Sequence, residues 1–188
     1  KRTNYCGELR IEDAGKEVTL FGWCQRQRDL GNLIFIDLRD RTGLVQLSFN
    51  DTTDREVFAK AQSVRAEYVV AAVGTVCERE SKTNKIATGD IEINVKEFRI
   101  ISKAETPPFE IAKSEKVGDE TTLKYRYLNL RNEKLTQNIL MRHKIAKIAR
   151  EYFYDNDFIE IETPMMIKST PEGARDYVVP FSYTHMPL

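Results

Sequence analysis

The chain has 188 residues, 29 Lys+Arg against 29 Asp+Glu, 41% hydrophobic and 31% charged residues, and a formal net charge of +0 at pH 7. This is enough apolar material for one or two cores. The charge balance excludes a partner held by electrostatics alone, so any nucleic-acid recognition must be local and shaped. No leader, long apolar run or low-complexity stretch calls for a membrane. Cys6, Cys24 and Cys77 are odd in number and far apart, which predicts reduced thiols and a cytoplasmic setting rather than a disulfide framework. With His143 and His185 and no CxxC pair, a metal site has almost no ligands to use, and none is expected. No glycine-rich phosphate loop is present.

Taken in order, residues 5–16 form a polar lead-in with a short strand expected at Gly7–Ile11. A long strand runs from Glu17 to Arg28, placing Arg26 and Arg28 on a common face. The pairs Gly31-Asn32 and Thr42-Gly43 are tight-turn signals and bracket a second strand. There Ile34, Ile36 and Leu38 take one face, and Leu33, Phe35 and Asp37 the other. In the third strand Val45, Leu47 and Phe49 share the inner parity, which leaves Gln46 and Ser48 outside. Helical spacing of Val57, Phe58, Ala61 and Val64 predicts a helix over 53–64, with N-caps among Asp51 to Asp54. A fourth strand spans Glu67–Arg79, a polar loop 81–90, and a fifth strand starts at Ile91, with Glu92 opposite in parity to Ile91 and Ile93. The order β-β-β-α-β-β, with the helix between strands three and four, is that of the five-stranded OB barrel.

Such a barrel offers strands two and three to oligonucleotides, the face on which Phe35 and Gln46 fall. An aromatic can stack on a base, an amide can read a base edge, and arginines meet phosphate or base. A plainer reading stands beside it: Phe35 covering a loop, and Arg26 and Arg28 forming a solvated edge.

Beyond the barrel, Pro107-Pro108 and a run of lysines and acids over 104–120 read as a hinge. LKYRYLNLR (123–131) follows, then a helix over 132–154 with Leu135, Ile139, Ile145, Ile148, Ala149 and Tyr152 as its apolar stripe. Residues 158–163 alternate like a strand ending at Pro164, where a missing N–H costs least. TPEGARDY (170–177) is a loop.

The segments GWCQRQRDLGNLIFIDLRDRTGLVQ (22–46), ATGDIEI (87–93), LKYRYLNLR, FIEIETPMM (158–166) and TPEGARDYVVP (170–180) together resemble the bacterial-type aspartyl-tRNA synthetases, class II ligases of the aspartate subgroup. The resemblance covers nearly the whole chain. It implies an OB-fold anticodon-binding domain over 1–104, a linker over 105–131, and the start of an α+β class II catalytic domain over 132–188. Phe35 matches the aromatic that stacks on an anticodon base, and Gln46 the amide that reads the central uracil. Arg28 and Glu92 match readers of the flanking bases. Arg26, Arg79 and Asn84 join the expected tRNA-binding set, the last two loosely, because the matching loop is about one residue shorter here.

The resemblance also assigns Pro164 to a dimer-interface element and Glu172 to a contact with the α-ammonium of aspartate, a charge-assisted bond. It implies aspartate tRNA, aspartate, ATP and magnesium as substrates and cofactor of a parent homodimer. Neither ATP nor magnesium is expected to be bound by this chain. Asn129 stands where the family usually has Asp, and Phe181–Leu188 departs from the family's continuation. The second and third class II signatures, with their ATP-binding arginines, are absent from these residues. No catalytic residue is therefore assigned, and the alternative to a ligase is a catalytically inactive tRNA- or single-strand-binding fragment.

Overall fold

The computed structural model describes residues 1–165. Five strands, β1 (Glu17–Asp29), β2 (Ile34–Asp40), β3 (Gly43–Phe49), β4 (Val69–Glu78) and β5 (Ile91–Ser102), close into a barrel in the spatial order β1-β2-β3-β5-β4. All neighbours are antiparallel except β3 and β5, which pair in parallel over Gln46↔Glu92, Leu47↔Ile93 and Ser48↔Asn94. The alternating apolar positions fill the interior as expected. Ile34, Ile36, Leu38, Val45, Leu47 and Phe49 are fully buried, and Phe49 meets Phe98 edge to face at 5.1 Å. Turn chemistry fits as well, since Gly31 has φ 88, a left-handed value that suits glycine.

Helix α1 (Arg55–Ser63) links β3 to β4. Asp54 caps it by accepting from the backbone N–H groups of Glu56 and Val57. Its other end is held by a side chain: the Gln27 amide donates to the carbonyls of Ala61 and Gln62 at 2.9 and 3.2 Å. Gln27 reaches inward because β1 slips register between Cys24 and Arg26 against β2. The extra residue reverses the strand's parity. Thus Val18, Leu20 and Cys24 point inward before the bulge, while Arg26 and Arg28 point outward after it.

The lead-in differs from expectation. Gly7–Ile11 is not a strand; Cys6–Glu8 and Ile11–Asp13 are single 3₁₀ turns. The backbone there is satisfied by side chains rather than by a ladder. Cys6 N–H donates to Asp40 Oδ2 at 2.7 Å and Gly7 N–H to Thr42 Oγ1 at 2.8 Å. A Cβ on Gly7 would lie 2.2 Å from the Thr42 carbonyl oxygen, which is why glycine stands there.

Residues Lys1–Asn132 form one compact unit, and Glu133 opens a second. The stretch 105–131, expected as a linker, carries a 3₁₀ segment (Ile111–Lys116), α2 (Asp119–Lys124) and α3 (Arg126–Asn129) around Phe109, Ile111 and Leu128. It is tied to the barrel by charge. Glu67, 6% exposed, receives Arg39 at 2.8 Å and Arg131 at 2.6 Å. The Arg131 guanidinium also lies over Trp23, 5.5 Å from the ring centroid. Glu67 has φ 65, an uncommon conformation for a side chain of this size. The second unit carries α4 (Glu133–Asp155), close to the predicted bounds. Its stripe residues Ile139, Ile145, Ile148 and Tyr152 are exposed. The strand expected at 158–163 does not form, and Pro164 lies in an irregular, exposed segment. A strand exists only through a hydrogen-bonded neighbour, and none of the described strands pairs with this segment, whose Glu160 is instead bonded by Arg150 of α4.

Two outcomes follow. Glu67→Ala leaves two guanidiniums facing a gap; breaking a buried pair costs 3–5 kcal/mol, and the arginines' partial solvent access sets the expectation at about 3 kcal/mol. A lowered urea midpoint at unchanged slope measures it.

Asp40 carries the acid sensitivity. Burial pushes its carboxyl up, but hydrogen bonds from Thr42 and Cys6 outweigh burial and hold it below the usual 3.8. With the folded-state value below the unfolded one, ionised Asp40 stabilises the fold above about pH 4. This contribution fades as pH falls through the folded value. The stability gap between wild type and Asp40→Asn should therefore be full at pH 7 and shrink as the pH falls below that ordinary value.

Candidate nucleic-acid interface

Strand register assembles the outer face as two rows crossing all five strands. One row is Arg28, Phe35, Ser48, Asn94 and Thr75; the next is Arg26, Asp37, Gln46, Glu92 and Cys77. Directly paired residues share a face and lie close enough to interact, and diagonal neighbours remain within reach of long side chains. Phe35, Gln46, Arg28, Arg26 and Glu92, separated by up to 66 positions in sequence, are thus brought onto one surface.

Within it a hydrogen-bonded chain runs sideways. Arg28 Nη2 donates to Asp37 Oδ1 at 3.1 Å and to Gln46 Oε1 at 2.9 Å; Gln46 Nε2 donates to Glu92 Oε2 at 2.7 Å. The Arg28 guanidinium also lies 5.3 Å from the centroid of the Phe35 ring, within cation–π range. The ring itself is half-buried.

Two positions expected outside are on the outer face yet buried: Gln46 and Ser48 are each 3% exposed. Alternation assigns a side chain to a face but not its cover. Gln46 is covered by the groups it bonds, and the Ser48 hydroxyl turns to the Ile93 carbonyl at 3.2 Å. Asp37 has a role that its position alone did not announce. The available signal was an acid on β2 with outer-face arginines on the adjoining strand. Cys77, half-buried, sits opposite Glu92 at the end of the second row.

Arg79 continues the parity of Cys77 just past β4, where its N–H extends the ladder to the Asp90 carbonyl at 2.9 Å. Asn84 lies exposed in the 80–90 connection and outside the hydrogen-bonded chain. Among the described residues, the buried side-chain polar atoms without a hydrogen-bond partner are Arg28 Nε and Arg79 Nε. A buried donor left unpaired costs about 1–3 kcal/mol. No cluster of three or more possible metal ligands occurs among the described residues. No described helix is long and apolar enough to cross a membrane. Glu172 lies outside the described residues.

A closed five-stranded barrel in the order β1-β2-β3-β5-β4, with a helix between β3 and β4, is the architecture of the OB fold. The comparisons agree. Residues 18–101 match the OB-fold nucleic acid binding domain of the anticodon-binding type, and 118–187 match the class II tRNA synthetases of the D, K and N group. The aspartate–tRNA ligase of Ruminiclostridium cellulolyticum is 54% identical over 96% of this chain, which spans 30% of that protein. The aspartate–tRNA(Asp/Asn) ligase of Caldanaerobacter subterraneus is also 54% identical, over 96% of this chain and 31% of its own length. The solved aspartyl-tRNA synthetase of Entamoeba histolytica superposes with a TM-score of 0.80 at 27% identity, covering 87% of this chain and 39% of that one. The chain belongs to the bacterial-type aspartyl-tRNA synthetase family, class II, and spans about 30% of the length of the curated relatives it matches.

Cysteine chemistry reads out this surface. Burial pushes the Cys24 thiol up to about 12 and the Cys6 thiol higher still, whereas Cys77 is half-buried. A thiol-alkylating reagent near pH 8 should modify Cys77 first and leave Cys6 and Cys24 protected until unfolding. Bound RNA should slow the Cys77 reaction, measured by mass spectrometry of the peptides.

Proposed function

We propose that this chain is the N-terminal, anticodon-recognising part of an aspartate–tRNA ligase, with 1–104 as the recognition barrel and 105–131 as the connection. From residue 132 the chain starts the catalytic domain. The observation that carries the reading is the gathering of Arg28, Phe35, Gln46 and Glu92 on one outer face, with a buried, unpartnered Nε–H on Arg28 and another on Arg79 just past β4. An RNA strand crossing that face brings phosphate and base acceptors to orphaned donors. It also brings a base to the Phe35 ring. Gln46 reads the central uracil, Arg28 and Glu92 the flanking bases, and Arg26, Arg79 and Asn84 hold the strand. A carboxylate such as Glu92 accepts from the N–H edge of a guanine, a contact that no phosphate could supply.

In the whole ligase, the α-carboxylate of aspartate attacks the α-phosphorus of ATP in line, giving an aspartyl-adenylate and releasing pyrophosphate, and the aspartyl group then passes to a hydroxyl of the terminal ribose of the tRNA, releasing AMP. Such chemistry draws on positioning and charge neutralisation rather than a protein nucleophile. Magnesium would accompany the ATP, and both belong to the whole protein. Glu172 would meet the α-ammonium of aspartate. The exposed apolar stripe of α4 and the segment ending at Pro164 would face the partner of a homodimer. The cytoplasm is the proposed setting, with Cys6, Cys24 and Cys77 all unpaired.

Binding of the aspartate anticodon stem-loop tests recognition. Stacking is worth about 1–3 kcal/mol per base, so Phe35→Ala should weaken binding about ten- to hundredfold. Gln46→Ala should cost less and relax preference at the middle base. Equal wild-type affinity for loops differing at that base would refute the reading.

A further inference from the structure

The chain from Asp37 to Glu92 does more than gather base-contacting groups. A side-chain amide has two faces of opposite chemistry that exchange by a half-turn, and its orientation is set by its partners. Gln46 lies between a group that can only donate, the Arg28 guanidinium, and one that as a carboxylate can only accept, Glu92. Its carbonyl must therefore face Arg28 and its NH₂ must face Glu92. The flipped amide would set NH₂ against guanidinium and carbonyl against carboxylate. At 3% exposure, water offers no replacement bonds.

We propose that Asp37, Arg28 and Glu92 act as a lock on the Gln46 amide, with Asp37 as a positioning residue, so that Gln46 distinguishes uracil from cytosine. The proposal rests on the reading above that Gln46 meets a base. One Oε1 lone pair and one Nε2 hydrogen remain unused in the locked state. Uracil presents an N3–H donor beside an O4 acceptor; cytosine presents an N3 acceptor beside an N4 donor. A freely turning amide satisfies either pattern. A fixed amide satisfies one and opposes the other with donor against donor and acceptor against acceptor.

Asp37 holds the system because the same Arg28 Nη2 that bonds Gln46 also bonds Asp37. It meets no base in this scheme. Without its charge the guanidinium is free to swing toward phosphate, releasing the carbonyl end of Gln46 and permitting the half-turn. A purely structural role for Asp37 would change affinity for both bases alike; a lock changes their ratio.

The test uses the 188-residue chain and two stem-loops identical except for U or C at the middle anticodon position, titrated by fluorescence anisotropy at fixed salt. Wild type should prefer U by about 5- to 150-fold, the range for one bidentate contact. Asp37→Asn should reduce that ratio by about fivefold or more, chiefly through better binding of the C loop. An Asp37→Asn ratio equal to wild type, with the ratio lost in Gln46→Ala, overturns the lock and leaves the base reading intact. A wild-type ratio in Gln46→Ala removes both. Without RNA, Asp37→Asn should also shift the Gln46 side-chain amide resonances in a ¹⁵N–¹H spectrum; unmoved resonances overturn the lock independently of binding.

Discussion

The parallel pairing of β3 with β5 is the contact on which the rest of this structure depends. It joins residues 46 apart, and closing a segment of that length carries an entropic cost that grows only slowly with length. Burial of the inner faces offsets that cost, since Val45, Leu47, Phe49, Ile91 and Ile93 become fully buried. The pairing abolishes what would otherwise be two exposed sheet edges. It also seats Glu92 beside Gln46. Shifting that register by one residue would turn Glu92 into the core and Ile91 or Ile93 out of it, so the apolar interior enforces the polar outer geometry. Core stability and the arrangement of the outer face are two sides of one alternation.

The barrel uses its arginines in two ways, and the hydrogen-bond inventory separates them. Arg39 and Arg131 converge on Glu67, a buried carboxylate whose backbone is held in a left-handed conformation. Its N–H donates to the Cys24 carbonyl at 2.7 Å, next to the β1 bulge. These charges are internally compensated and bind the 105–131 stretch to the sheet. Arg28 and Arg79 are each left with a buried N–H unsatisfied. A protein that folds without its ligand tolerates such orphans where the ligand supplies the missing acceptors. Residue type and strand position would not divide these four arginines; the unpartnered Nε–H of Arg28 and Arg79 does, even though Arg28 also bonds Asp37 through Nη2.

Alternation made most of the barrel legible in the sequence. The five strands, the helix between the third and fourth, the inner residues of β2 and β3, and the shared face of Phe35 and Gln46 all follow from period and turn chemistry. What alternation leaves open is cover and partnership. Gln46 and Ser48 share an outer face with Phe35, but only the fold shows that Glu92 and the Ile93 carbonyl close over them. The lead-in is two 3₁₀ turns rather than a strand, because Asp40 and Thr42, 34 and 35 residues away, satisfy its backbone, and local sequence carries no sign of that. The segment 158–163 alternates well, yet alternation without a neighbouring strand remains irregular chain. The β1 bulge had no local signal, although the outward set Arg26 and Arg28 depends on it.

The overall charge balance follows from the same design. Binding dominated by phosphate contacts requires many cations and weakens steeply with salt, whereas a chain with equal numbers of acids and bases has little to spend on that term. The second outer row alternates Arg26, Asp37, Gln46 and Glu92, so the field it presents changes sign over the span of a single base. A surface of that kind repels a backbone wherever Asp37 and Glu92 face it, and it is favourable to a base edge whose donors and acceptors match its order. On the proposed reading, the acids beside the arginines trade phosphate affinity for discrimination. On that reading Phe35 adds stacking, which uses the face of the ring and no charge.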